Sequence, residues 1–65
     1  MEISKAERIA NVLDGEPREL DDGTWIVLIE RADGRVVTVS DMSVDEYADR
    51  EALAAGRCYT CISLV

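Results

Sequence analysis

The sequence of 65 residues contains no histidine, only one lysine and only two cysteines. Without histidine, a serine or cysteine nucleophile lacks its usual proton acceptor. No apolar run approaches the 18 or so residues that a membrane-spanning helix needs, and the longest is Trp25–Ile29. The four glycines lie far apart, so no glycine-rich loop is available to bind phosphate. We therefore predict that the protein is not an enzyme, binds no cofactor and has neither a small-molecule substrate nor a membrane partner.

Basic residues are also scarce, since 7 Lys and Arg stand against 14 Asp and Glu, for a net charge of −7. Such a surface repels phosphate, so we expect no binding to free nucleic acid or to anionic membranes. The apolar fraction of 48% is ordinary for a folded domain and too high for an acidic disordered tail. A chain of this length buries only about 60% of its unfolded surface, which predicts one small domain over residues 1–65.

The two cysteines, Cys58 and Cys61, form a CxxC sequence. Two cysteines do not make a disulfide framework, and the first residues show no signal peptide, so we expect a cytoplasmic protein with reduced thiols. A tetrahedral zinc site needs four ligands, which here would require carboxylates or the CxxC of a second chain. A redox pair needs its first cysteine at the start of a helix, whereas this pair begins a predicted strand. The pattern therefore favours two small packed thiols.

The first predicted element is a helix of about ten residues, too short to be stable alone in water. Ser4 and Glu7 have the spacing of a capping box, in which each side chain binds a free backbone N–H of the other. The residues that follow repeat on one helix face: Ala6, Ile9, Ala10 and Leu13. Asp14-Gly15 supplies the C-terminal stop. The apolar face must therefore pack against another element.

Two Asp-Gly pairs stand between extended runs and predict turns of β-hairpins. Asp33-Gly34 separates Trp25–Ile29 from a second β-branched run, Val36–Val39. Asp22-Gly23 precedes Trp25–Ile29 and predicts a short arm at residues 18–20 that folds onto Trp25.

Two registers compete at the second turn. A two-residue turn would pair Ile29 with Thr38, whereas a turn with a bulge at Gly34 would pair Ile29 with Val37. The bulged turn collects one apolar face from both strands: Trp25, Val27, Ile29, Val37 and Val39. Because the buried face sets the register of a strand pair, we predict the bulged turn.

Residues 43–55 are predicted to form a second helix. Ser43 and Glu46 repeat the capping-box spacing, and the acidic Asp45 and Glu46 suit the positive end of a helix dipole. The apolar positions of this helix are Val44, Tyr47, Ala48, Ala52 and Ala55. Gly56 ends it. Because the alanines allow close approach, we expect this helix to pack on the sheet.

The chain closes with a β-branched and apolar run, Cys58–Val65, which predicts a last strand. Short loops around the second helix place this strand parallel to Val36–Ser40 and antiparallel to Trp25–Ile29. The segment Trp25–Ile29 is the most continuously apolar run, as expected of a central strand. We therefore place the last strand beside it.

These elements predict a single α+β domain in which a small, mostly antiparallel three-stranded sheet packs with two helices in the order α-β-β-α-β. A short fourth strand near residues 18–20 is an option. We expect both helices to cover the face of Trp25, Val27 and Ile29. The open face then carries a candidate interface of Ile26, Leu28 and Val36. The alternative is that the helices pack on opposite faces, which leaves no sheet face exposed.

The function that these features favour is a noncatalytic protein–protein interaction module, acting as a homodimer or as a subunit. The net charge of −7 motivates a second hypothesis, an acidic inhibitor or antitoxin-like regulator that binds a basic surface. A third is a metal-bridged dimer in which each chain contributes Cys58 and Cys61.

Overall fold

A computed structural model describes residues 1–64 of the chain. In order, these residues form α1 (Ile3–Leu13), β1 (Glu16–Glu19), β2 (Trp25–Glu30), β3 (Val36–Val39), β4 (Ser43–Tyr47), α2 (Arg50–Ala54) and β5 (Thr60–Ser63). The strands make one antiparallel sheet in which neighbours follow chain order, β1-β2-β3-β4-β5. The α+β class with two helices is confirmed, and the described part of the sheet has five strands where three, with an optional short fourth, were expected. Neither described helix has the length and apolar character needed to cross a membrane.

Helix α1 begins before its predicted cap, because the start of the chain is attached to the sheet. Ser4 lies inside the helix, and the preceding Glu2 makes no side-chain capping hydrogen bond. The Met1 ammonium group instead donates a hydrogen bond of 3.0 Å to the carbonyl oxygen of Trp25. The same ammonium lies 3.2 Å from the Asp41 carboxylate. These tertiary contacts hold the first turn, and the predicted capping box is not formed.

The backbone runs close to β2 just after α1 ends. Asp14 adopts a left-handed conformation with φ of 56°, which ends the helix where the sequence predicts. At Gly15, an added Cβ would lie 2.7 Å from the carbonyl oxygen of Leu28 and 2.9 Å from Cγ1 of Ile29. Because real Cβ atoms are not found at these distances, a residue with a side chain could not occupy position 15 without displacing β2.

The core lies between α1 and β2. Ala6 and Val27 are completely buried and Ala10 is 4% exposed. Around them pack partly buried apolar residues: Met1, Ile9, Trp25, Ile29 and Val39. The two alanines let the helix backbone approach the strand closely. The prediction that Trp25, Val27 and Ile29 face inward together is thus confirmed.

The β2–β3 pair has the register that the bulged turn predicts. Ile29 lies opposite Val37, and Val27 lies opposite Val39. Gly34 has a φ of 90°, a conformation that favours glycine, and donates its N–H to the carbonyl oxygen of Arg31 at 3.1 Å. This turn sets which side chains of β2 and β3 face α1.

Strand β1 pairs antiparallel with β2, with Glu19 opposite Trp25. The expected arm near residues 18–20 is therefore present as a longer strand. Because β1 and β3 occupy both sides of β2, the last strand cannot pair with β2, and that prediction is wrong. Strand β5 instead pairs antiparallel with β4. Val65, which ends the predicted strand, lies outside the described residues.

Residues 43–47 form strand β4, so the predicted start of the second helix is wrong. Backbone hydrogen bonds to β3 outweigh the capping-box spacing of Ser43 and Glu46. The chain reverses direction in a tight turn before β4. In that turn Ser40 Oγ accepts the N–H of Ser43 at 3.1 Å. Helix α2 begins later, at Arg50, and its cap is Asp49, whose carboxylate accepts the N–H of Ala52 at 2.8 Å.

The two helices lie on opposite faces of the sheet, which is the alternative arrangement given above, and the expectation that both cover the face of Trp25 is wrong. Residues of α2, including Leu53, line one small cleft together with Leu28. Arg50 of α2 forms an ion pair with Glu30 at the end of β2. Of the three expected interface residues, Leu28 is 3% exposed and Val36 is 1% exposed, while Ile26 is half-buried. The open face that the interface of Ile26, Leu28 and Val36 requires is therefore not observed, because α2 lies over it.

Candidate functional site

The most exposed apolar part of the molecule is the edge of the sheet at β5. Every residue from Cys58 to Leu64 is exposed and none of them is charged. The large apolar side chains there are exposed by 54% at Tyr59, 55% at Ile62 and 56% at Leu64. Strand β5 has β4 as its neighbour on one side and ends the sheet on the other. Such an edge presents backbone groups to which another strand can pair.

The apolar face under α1 continues to this edge without a helix above it. One cross-strand row runs from Val27 through Val39 and Val44 to Ile62. Burial decreases along the row: Val27 is fully buried, Val39 and Val44 are half-buried, and Ile62 is exposed. Helix α1 packs mainly against β1 and β2, so the β4 and β5 end of this face lies beyond its cover.

We call the uncovered end of this face the β4–β5 patch, which consists of Met42, Val44, Ile62 and Leu64. Met42 is the most exposed of them, at 65%. Its carbonyl oxygen accepts the N–H of Leu64 at 2.8 Å, which continues the β4–β5 ladder beyond the strands themselves. Because strand side chains alternate between faces, these four residues share the side of the sheet on which α1 lies.

Cys58 and Cys61 are joined by a disulfide bond, with their Cα atoms 6.5 Å apart. The expectation of reduced, packed thiols is therefore wrong on both counts, because the two residues are bonded to each other and exposed. The spacing argument failed because β5 begins only at Thr60. The chain bends at Tyr59, which brings the Cys58 side chain back toward that of Cys61.

A carboxylate lies beside this disulfide. Asp45 is the cross-strand neighbour of Cys61, and one of its oxygens and both sulfur atoms all lie within 4.8 Å of one another. Asp45 is half-buried, and Ser43 Oγ donates a hydrogen bond of 3.2 Å to its Oδ2. The β4–β5 register thus places a carboxylate oxygen beside both sulfur atoms of the disulfide.

The segment before β5 is fixed by contacts with the β2–β3 turn. Arg35 donates a hydrogen bond of 2.5 Å to the Tyr59 hydroxyl, and its guanidinium carbon lies 5.1 Å from the centre of the tyrosine ring. The Glu46 carboxylate forms two ion pairs: its Oε2 lies 3.4 Å from Nη1 of Arg31, and its Oε1 lies 3.4 Å from Nη1 of Arg35. A hydrogen bond to Glu46 raises the pKa of Tyr59, because the carboxylate acceptor stabilises the protonated phenol. These contacts hold the disulfide loop against the sheet.

Three carboxylates with shifted pKa values, Asp22, Glu30 and Asp41, lie outside the disulfide loop and strand β5. Hydrogen bonds from Thr24 lower the pKa of Asp22 in the first turn. Hydrogen bonds from Arg50 and Lys5 likewise lower the pKa values of Glu30 and Asp41. Each of these acids serves a turn or an ion pair that holds a helix to the sheet.

The sequence identifies the CxxC but not the carboxylate beside it, because the capping-box spacing predicts a helix at Asp45 where the structure has strand β4. It also predicted an apolar patch on a sheet face, but on the face that α2 covers. The sequence feature that could have indicated an exposed edge is the last run of residues, Cys58–Val65, which contains no charged side chain. The chain matches no protein-family model, no curated protein and no solved structure.

Proposed function

We propose that this protein is a noncatalytic protein–protein interaction module that assembles with a second copy of itself through the edge of β5. The observation that carries this proposal is the exposed and uncharged segment Cys58–Leu64 beside the β4–β5 patch. The interface thus moves from Ile26, Leu28 and Val36 to the opposite face and the last strand.

The charge distribution favours a second copy at this edge. Two chains with a net charge of −7 each repel one another over most of their surface. The segment Cys58–Leu64 carries no charge, so this repulsion is weakest where two β5 strands would meet. Antiparallel pairing of identical strands around a two-fold axis is self-complementary and closes the assembly at two chains.

The apolar surface beside the edge gives the pairing a hydrophobic contribution. In such a dimer, Ile62 and Leu64 of one chain lie near the same residues of the other, and part of each β4–β5 patch leaves water. Burial of apolar surface contributes about 25 cal/mol per Å² before the entropy of association is subtracted. The backbone hydrogen bonds fix the register, and the patch supplies the favourable free energy.

The test is sedimentation equilibrium of the disulfide-bonded protein over a range of concentrations. We expect the wild type to reach the mass of a dimer and Ile62→Lys to remain monomeric, because a lysine there places like charges across the two-fold axis. Val12→Lys is the matched control. Val12 is a 78% exposed apolar residue on α1, far in sequence from β5, and its replacement should leave the association unchanged.

Two results would overturn the proposal. The first is a wild-type protein that stays monomeric at every concentration. The second is an association that Ile62→Lys and Val12→Lys weaken equally, since this would show that charge in general, and not the β5 edge, controls it. Circular dichroism of both variants checks that they remain folded.

A further inference from the structure

We propose that reduction of the Cys58–Cys61 disulfide creates a binding site for one zinc ion, with Asp45 as the third protein ligand. The site shares strand β5 with the proposed dimer edge, but it lies on the face of the sheet opposite the β4–β5 patch and needs the ligands of one chain only. It differs from a metal bridge between two CxxC sequences, because a single chain supplies all three ligands.

The β4–β5 register gathers the three ligand atoms. Cys61 and Asp45 are cross-strand partners, and the bend at Tyr59 brings Cys58 to the same place. Both sulfur atoms and a carboxylate oxygen of Asp45 lie within 4.8 Å of one another. A zinc ion holds sulfur at about 2.3 Å and carboxylate oxygen at about 2.1 Å. Tetrahedral bonds of these lengths place the ligand atoms of one zinc about 3.5–3.8 Å apart. This separation lies inside the 4.8 Å limit, and the two sulfur atoms reach it by moving apart after their bond is reduced.

The groups around the site also fit a metal ligand set. The hydrogen bond from Ser43 Oγ to Oδ2 of Asp45 orients the carboxylate, as the outer partners of metal ligands commonly do. The contact between Arg35 and Tyr59 fixes the loop between the two cysteines. Three protein ligands leave a fourth zinc position open to water or to a group from a partner.

The chemistry of the ligands selects the cation. Thiolates favour zinc and other soft ions over magnesium or calcium. Two thiolates beside the Asp45 carboxylate place three negative charges close together, and a divalent cation removes most of their repulsion. When no metal is bound, the negative charge of Asp45 also disfavours the thiolate form of either cysteine, and the thiolate is the form that acts as a nucleophile. No helix begins at Cys58 to stabilise one, since α2 ends at Ala54, so metal binding is favoured over thiol–disulfide exchange.

Reduction and binding are two separate steps. A phosphine transfers two electrons to the Cys58–Cys61 bond, water supplies the two protons of the resulting thiols, and the phosphine takes the oxygen of that water and leaves as its oxide. Each thiol then releases its proton to solvent as its sulfur binds zinc.

The experiment titrates the protein, reduced with a phosphine in the absence of oxygen, with Co²⁺ and then with Zn²⁺. We expect absorption from thiolate-to-cobalt charge transfer, one cobalt per chain and displacement by zinc. The protein with its disulfide intact should bind neither ion, because its sulfur atoms are bonded to each other. Cys58→Ser should abolish the charge-transfer band or leave a much weaker one.

Asp45→Asn distinguishes the three-ligand site from a site made by the cysteines alone. Loss of a group that merely orients a ligand weakens metal binding by about 10- to 100-fold, so loss of Asp45 as a ligand should weaken it at least as much. Asp21→Asn is the control, since it removes the same charge from an exposed turn position.

Equal affinity of Asp45→Asn and the wild type would overturn the proposal, as would one metal per two chains. The dimer is separated from the metal site by repeating the titration on Ile62→Lys. We expect that variant to bind one metal per chain even though it does not associate. Sedimentation therefore tests the dimer and the metal titration tests the zinc site, and either proposal can fail while the other holds.

Discussion

The two edge strands of the sheet are built from opposite kinds of residues. Strand β1, Glu16–Glu19, has three charged side chains and a proline, which has no N–H to offer another strand. Strand β5, Thr60–Ser63, has neither charge nor proline. Helix α1 packs against the β1 side of the sheet and leaves the β5 side of the same face uncovered. Natural sheets protect edges with charge and proline. Strand β1 carries both of these features and β5 carries neither, which is the difference that the proposed dimer requires.

The largest expected effect concerns how the covered and uncovered halves of one apolar row contribute to stability. Val27 and Val44 belong to the same cross-strand row, but Val27 is fully buried under α1 and Val44 is half-buried. Val27→Ala should lower the free energy of unfolding by about 2–3 kcal/mol, because it removes buried methyl groups and leaves a cavity. Val44→Ala should lower it by less than about 1 kcal/mol.

Urea unfolding of both variants at a concentration where the protein is monomeric measures this difference. Equal losses at the two positions would contradict the account, since they would mean that the β4–β5 half of the face is as well covered as the half under α1.

The next effect tests how tightly the β1 side is packed. Gly15→Ala places a Cβ against backbone and side-chain atoms of β2, which must move to accommodate it. We expect a loss of about 1–3 kcal/mol in the free energy of unfolding. Gly56→Ala is the comparison, because Gly56 has a φ of 70° but no atom within 4 Å of an added Cβ. Gly56→Ala should lower the free energy of unfolding only by the strain of that backbone conformation, about 1 kcal/mol. A smaller loss at Gly15 than at Gly56 would show that α1 and β2 are not in close contact.

The smallest effect concerns the exposed ion pairs that attach each helix to the rest of the chain. The hydrogen bond from Arg50 lowers the pKa of Glu30 from its ordinary value of 4.5, and the hydrogen bond from Lys5 lowers that of Asp41 from 3.8. A carboxyl whose pKa is lower in the folded state stabilises that state above its unfolded pKa. This stabilisation is lost as the pH falls through the lowered folded-state pKa.

Stability should therefore decline below about pH 4, and less steeply in Glu30→Gln and Asp41→Asn than in the wild type. The effect is small because these groups are exposed and screened by solvent. Urea unfolding midpoints measured between neutral pH and about pH 3 give the slopes. A wild-type slope that neither substitution reduces would show that the two ion pairs do not contribute.

The hairpin at the centre of the fold could be predicted because local and tertiary signals agree there. The bulge at Gly34 and the alternation of Trp25, Val27 and Ile29 both require the same register, and the apolar face of α1 requires the same buried side.

The second half of the chain could not be predicted because its local and tertiary signals conflict. Ser43 and Glu46 have the spacing of a helix cap. The side of β3 away from β2, however, presents backbone donors and acceptors that only an extended segment can pair with. A helix at residues 43–47 has no cross-strand partners, so the helix prediction hides the pairing of Asp45 with Cys61. The covered sheet face was misplaced for a related reason, since the short α2 begins only at Arg50 and lies over Leu28 instead of the α1 face.

The central claim, that β5 is the edge made for pairing and β1 is not, is tested most directly by amide hydrogen exchange at several protein concentrations. The account predicts that protection of the β5 amides rises with concentration, in parallel with the mass of the particle, while protection of the β1 amides stays constant. Protection of β5 that does not change while the protein associates would contradict it, because the contact between chains would then lie elsewhere on the molecule.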